Sequence, residues 1–70
     1  MDITSTHRIL RLPAVIAITG LSRSTIYALS AQNQFPHCIN LSNARAVGWI
    51  EQEVLDWIQR RIDETRKKKP

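Results

Sequence analysis

A second cysteine is missing. With Cys38 alone the chain cannot close an internal disulfide, which excludes the small secreted disulfide scaffold. Cys38, His7 and His37 do not make a metal set either, because His37 and Cys38 are sequence neighbours with no second pair at ligand spacing. A buried, reduced strand thiol is the expectation for Cys38, against a ligand or redox centre, and no cofactor is implied. No apolar run approaches the ~20 residues of a membrane span. The N-terminus also lacks a basic segment followed by an apolar signal stretch. The expected compartment is the cytoplasm, with no membrane partner. A nucleophile–base–acid set is absent too: His7 falls in an unpatterned segment and His37 at a strand start, so an enzyme has no geometry to rest on.

What remains fits one small domain. Seventy residues bury roughly 60% of their unfolded surface, a modest core with little room for a catalytic cleft. The 43% hydrophobic share is ordinary for a globular chain and argues against disorder throughout. A formal net charge of +4 favours an anionic partner, nucleic acid ahead of a membrane surface, provided the charges fall on an element able to reach it.

Residues 1–7 are polar and aperiodic, and read as a flexible N-terminal arm. Arg8-Ile9-Leu10-Arg11 is compatible with a brief strand. Pro13 suits the first turn of a helix, where its missing N–H costs nothing. That helix runs to about Thr19, with Val15, Ile18 and Thr19 on one face and Ile16 on its flank, and Gly20 supplies a left-handed stop. Ser22 caps a second helix reaching about Asn33, with Ile26 and Leu29 inward. Its opposite face carries Arg23, Ser24, Tyr27 and Ser30 or Ala31. Helix, tight glycine turn and helix within residues 13–33 have the length and punctuation of a helix-turn-helix.

Gln32-Asn33-Gln34 and Pro36 end the second helix, since the residue before a proline is pushed out of helical geometry; Phe35 is expected as a core plug there. Residues 37–41 and 46–50 then read as the two strands of a hairpin, with Asn43 to Arg45 at or near its tip. From Glu51 the period becomes helical: Val54, Trp57, Ile58, Arg61 and Ile62 share a stripe with Leu55 beside it. Glu51, Glu53 and Asp56 lie early and Arg60, Arg61 and Arg66 late, as the helix dipole prefers. Glu51 is nevertheless a poor cap. Lys67-Lys68-Lys69-Pro70 read as a solvated, frayed basic tail. The expected fold is mainly α with a small β-hairpin, a winged helix-turn-helix over residues 8–66 between the arm (1–7) and the tail (67–70).

Leu10-Arg11-Leu12-Pro13-Ala14-Val15 followed by Thr19-Gly20-Leu21-Ser22-Arg23-Ser24-Thr25-Ile26-Tyr27 resembles the AlpA family of prophage regulators. That family is related to the MerR-like and excisionase-type winged helix-turn-helix proteins. Phe35-Pro36, Arg45-Ala46-Val47-Gly48-Trp49, Glu53-Val54 and Trp57-Ile58 agree with it. The resemblance covers Arg8 to Ile62. It departs from the family at Ala28, where relatives often carry a basic residue, and at Ser42-Asn43-Ala44, where a glycine-rich wing tip is common. Asparagine adopts left-handed geometry at lower cost than most residues, so Asn43 is expected to stand in for glycine there. The resemblance implies a sequence-specific DNA-binding transcriptional regulator of a prophage or mobile element, which also assists excision in some relatives.

In that arrangement the second helix enters the major groove with its N-terminal residues toward base edges. Arg23 is the leading residue for guanine readout, with a phosphate contact as the open alternative. Ser22 is a cap whose helix start also suits a phosphate, and Ser24 and Thr25 meet phosphate or a base edge. Tyr27 either donates its hydroxyl to a phosphate or packs half-buried. Asn43 and Arg45 belong to the wing, where arginine suits a narrow A·T-rich minor groove, against an ordinary turn charge. Arg8 and Arg11 are weaker phosphate candidates, and Lys67 to Lys69 add at most a non-specific attraction. Trp49, Trp57, Phe35, Ile26, Leu29 and Ile58 are expected in the core. Double-stranded DNA is the expected partner, with RNA polymerase or an integrase as further ones. So small a domain has few contacts to offer one site, so copies are expected to cooperate on repeated or inverted half-sites. No heptad supports a stable free dimer. The rival reading is a protein–protein interaction module on the same scaffold, without DNA readout.

Overall fold

A computed structural model describes residues 8–42 and 45–68 as a winged helix-turn-helix of three helices and a three-stranded sheet. In chain order these are β1 (Ile9–Leu10), α1 (Leu12–Thr19), α2 (Arg23–Ala31), β2 (Ile39–Asn40), β3 (Val47–Ile50) and α3 (Glu51–Lys68). The expected arm and Asn43 lie outside the described residues.

The hairpin has a third strand. β3 lies between β1 and β2 and pairs antiparallel with both: Ile9 faces Ile50, Leu10 faces Trp49, Ile39 faces Gly48 and Asn40 faces Val47. Because side chains alternate across a strand, Leu10 and Trp49 share the buried side, and Ile9, Gly48, Ile50 and Ile39 share the other. Gly48 is required by close approach: a Cβ there would collide with Cγ2 of Ile9.

The core is Leu10, Val15, Ile26, Trp49 and Val54, one residue from every element but β2, together with Phe35 from the α2–β2 connection. Trp49 sits at its centre, fully buried, with its indole N–H donated to the Pro36 carbonyl at 3.1 Å. Pro36 O also accepts the Ser30 hydroxyl at 3.3 Å, so one carbonyl ties α2 to β3. Ser30 is therefore on the buried face of α2, not the polar face expected from sequence; it follows Ile26 by four residues and shares its side. In α1 the inward stripe is Leu12, Val15, Ile16 and Thr19, at i, i+3, i+4 and i+7, while Ile18 is exposed. The neighbours that cover α1 are β1 and β3, and Ile18 points away from them.

Trp57 differs from Trp49. It is half-buried at the rim, edge-on to Phe35 (centroids 4.8 Å, 70°), donating to Gln34 O at 2.7 Å with the Arg61 guanidinium 5.0 Å over its ring. The free thiol of Cys38 is half-buried. At the start of α3, the Glu51 N–H donates to Arg8 O at 2.8 Å, so the β1–β3 ladder satisfies a group that a cap would otherwise serve. α3 continues to Lys68, which makes two residues of the expected tail helical.

Candidate nucleic-acid interface

Four residues set the direction of α2. Gly20 ends α1 with φ 76° and ψ 5°, its N–H donating to Ile16 O. An L-residue with a side chain meets its own carbonyl in this region, and glycine does not. The Thr19 hydroxyl donates to Val15 O at 2.8 Å and accepts the Leu21 N–H at 3.2 Å, bracing the turn from inside. Ser22 is extended and its Oγ accepts the Thr25 N–H at 3.2 Å, capping α2. The two helices meet at 93°, the crossing of a helix-turn-helix.

The first turn of α2 is exposed through Arg23, Ser24 and Thr25. Ser22 Oγ also donates to Thr25 Oγ1 at 2.9 Å, which leaves the Thr25 hydroxyl proton available to an acceptor. Arg23 and Ser24 have no side-chain partner among the described residues. One turn on, Tyr27 is 39% exposed and leans on Trp49, with ring centroids 6.0 Å apart and a 58° tilt. Tyr27 is thus packed on one side and open on the other. The far end of α2 closes with Asn33 at φ 58°: Asn33 N–H donates to Ser30 O and Gln34 N–H to Leu29 O. This pair of bonds is a Schellman stop, with the Asn33 amide oxygen 2.9 Å from His37 Nε2.

The structure therefore brings Ser22, Arg23, Ser24, Thr25 and Tyr27 together on α2, while Arg45 stands apart and exposed on the β2–β3 connection. That hairpin is closed by the Leu41 N–H on Ala46 O at 2.9 Å. Arg8 is engaged with Glu51 at 3.6 Å, and its side chain is 76% exposed, so the pair adds little stability. Arg11 donates from Nε to Val47 O at 2.9 Å, an interaction that sequence reasoning missed. Among the described residues no three His, Cys, Asp or Glu side chains gather as metal ligands, and no single helix is long and apolar enough to cross a membrane.

The family described as "Prophage CP4-57 regulatory protein (AlpA)" matches residues 8–62. The chain belongs to the AlpA family. The match begins with β1 and ends inside α3, so it contains every described site residue. Two curated proteins show the same kinship. "DNA-binding transcriptional activator AlpA" of Escherichia coli (strain K12) is 42% identical over 67 residues, covering 87% of this chain and 94% of that protein. "Uncharacterized protein ORF88" of Enterobacteria phage P4 is 44% identical over 61 residues, covering 87% of this chain and 67% of that one. In this AlpA-family chain the glycine turn, the capped second helix and the hairpin are all present in the order the resemblance implied.

Proposed function

We propose that this AlpA-family chain is a cytoplasmic, non-enzymatic regulator that binds a short double-stranded DNA site and controls transcription of a prophage or mobile element. The observation that carries the reading is the first turn of α2, capped from within by Ser22, exposed, and projected at 93° from α1 in a chain of net charge +4. The relative named a DNA-binding transcriptional activator supports it.

In this reading residues 8–66 form the binding unit. The unpaired N–H groups at the start of α2 meet a phosphate near Ser22, and Arg23 reaches a guanine edge in the major groove. Ser24 and the Thr25 hydroxyl serve phosphate or base edge. Tyr27 donates to a phosphate from a ring held by Trp49. Asn43 and Arg45 carry the wing toward the adjacent minor groove, and Lys67 to Lys69 add attraction without sequence preference. Copies cooperate on repeated half-sites, and RNA polymerase or an integrase is the next partner, so the same surface serves regulation and excision.

Selection of bound sequences from random duplexes tests this, followed by footprinting and a salt titration. A discrete footprint whose affinity falls steeply with salt supports the reading. No enrichment at low salt removes it. One observation favours the protein-interaction alternative. An open groove of about 840 Å³ runs between residues 33–39 and α3, lined by Pro36, Ile39, Trp57 and Arg60 among others, at the end of α2 remote from Ser22. A partner protein bound there, with no selected DNA sequence, would put that alternative first.

A further inference from the structure

The β1–β3 ladder determines what Val47 needs. Arg8 and Glu51 form a hydrogen-bonded pair, since the Glu51 N–H donates to Arg8 O. Such pairs alternate along an antiparallel ladder, so Leu10 with Trp49 is the next one and the register would bring Leu12 opposite Val47 as the third. The Leu12 N–H would then serve Val47 O. The chain never reaches that position, because β1 ends at Leu10 and α1 begins at Leu12. Nor does β2 supply a donor. Leu41 and Ala46 are the hydrogen-bonded pair on that side, which leaves Val47, opposite Asn40, at a non-bonded position. The Val47 carbonyl therefore faces the gap that β1 leaves when it turns into a helix, and Arg11 Nε fills that gap at 2.9 Å.

We propose that Arg11 is the positioning residue for the wing, joining the helix-turn-helix to the strand that carries Arg45; the inference rests on the DNA-binding reading above. Its main chain is fixed to α1, because Arg11 O accepts the N–H groups of Ala14 and Val15 at 3.0 and 3.1 Å. Its side chain is fixed to Val47, two residues after Arg45. One residue thus spans the two parts of the molecule that must meet DNA at a constant separation. β2 is only two residues long, so strand pairing alone gives the hairpin little to set its direction. The guanidinium acts here as a stand-in for a backbone donor and does not itself read DNA.

The test uses the full chain and its selected duplex. Arg11→Gln places an amide nitrogen the same number of bonds from Cα as Arg Nε, keeping the donor without the charge; Arg11→Met removes both, and Arg11→Lys keeps the charge. Each is measured with and without Arg45→Ala, after circular dichroism shows that it is folded. Arg45→Ala is expected to weaken binding about tenfold in the parent and in Arg11→Gln, but less than about threefold in Arg11→Met. An equal Arg45→Ala effect in every background overturns the joint. So does parental affinity in Arg11→Lys with equal losses in Gln and Met, which is the pattern of a direct phosphate contact. A DNA-free readout separates this from failure of the DNA reading. Hydrogen exchange at the Leu41 amide should accelerate about tenfold in Arg11→Met and stay at the parental rate in Arg11→Gln, with the Ile26 amide unchanged. An unaltered Leu41 rate in Arg11→Met refutes the proposal whether or not DNA is bound.

Discussion

Replacing Gly20 tests the turn on which α2 depends. Gly20 has φ 76°, and a Cβ built there meets nothing within 4 Å, so a side chain costs backbone strain alone and no collision. For alanine the left-handed strain exceeds the entropy gained by restricting the unfolded chain, a net loss of about 1 kcal/mol. In a domain of this size that lowers Tm by roughly 4–8 °C. Gly20→Asn should fall between parent and alanine, since asparagine visits this region more readily. Gly20→Val, branched at Cβ, should lose stability most and DNA binding with it. The assay is thermal melting by far-ultraviolet circular dichroism, with duplex affinity measured well below each midpoint. The competing architecture, one continuous helix through residue 20, predicts the opposite sign: alanine for glycine in a helix interior gains about 1 kcal/mol and raises Tm. A Gly20→Ala variant that melts at or above the parent would refute the turn.

Trp49→Ala should cost ~3–5 kcal/mol, most of the roughly 3–10 kcal/mol available to a chain this long, and is expected to abolish the urea unfolding transition. Trp57→Ala removes a rim residue and should leave a measurable transition, so the two tryptophans should not behave alike. Ser22→Ala removes the cap of α2 and should lower stability by ~1 kcal/mol in urea melts, with the loss the same in the absence of DNA. Arg23→Ala should leave Tm unchanged and cost ~1–3 kcal/mol on the selected duplex, relaxing preference at one base position. Truncation before Lys67 should instead weaken selected and scrambled duplexes alike, flattening the salt slope by ~0.9 for each phosphate the tail had neutralised.

Much of the fold was legible because its punctuation is local. Gly20 and Ser22 each act on the residues beside them, Asn33 stops α2 in left-handed geometry ahead of Pro36, and the change to helical period at Glu51 shows within a few turns. The sheet was harder. Pairing Ile9 with Ile50 joins residues far apart in sequence, and two residues of strand at residues 9–10 carry no periodic signal of their own. Without that partner the start of α3 reads as poorly capped, and Arg11 reads as a weak phosphate candidate, not as a donor to Val47 O. Ser30 shows a different limit. Its spacing from Ile26 put it on the core face, and only its residue type suggested solvent; the Pro36 carbonyl that satisfies its hydroxyl comes from a loop whose path sequence does not reveal. Ile18 and Trp57 show that an apolar residue in a short helix or at a helix edge is buried only as far as its neighbours extend.

Net charge alone treats the arginines as equivalent, and their surroundings separate them. Arg8 is paired with Glu51, Arg11 is bonded to Val47 O, and Arg61 lies over Trp57. Each has an intramolecular partner that DNA would have to share or replace. Arg23 and Arg45 have none among the described residues, and they occupy the exposed start of α2 and the hairpin connection. The hydroxyls divide in the same way: Ser22 and Thr25 hold each other across the first turn, while the Ser24 side chain is unengaged. Groups that complete the fold are thus interleaved, residue by residue, with groups that have no work inside it. Stability and DNA affinity should therefore separate between adjacent positions, with Ser22 governing the first and Arg23 the second. A solvated face that only kept the domain soluble would give no reason for that separation to fall on the one helix set at 93° by a left-handed glycine.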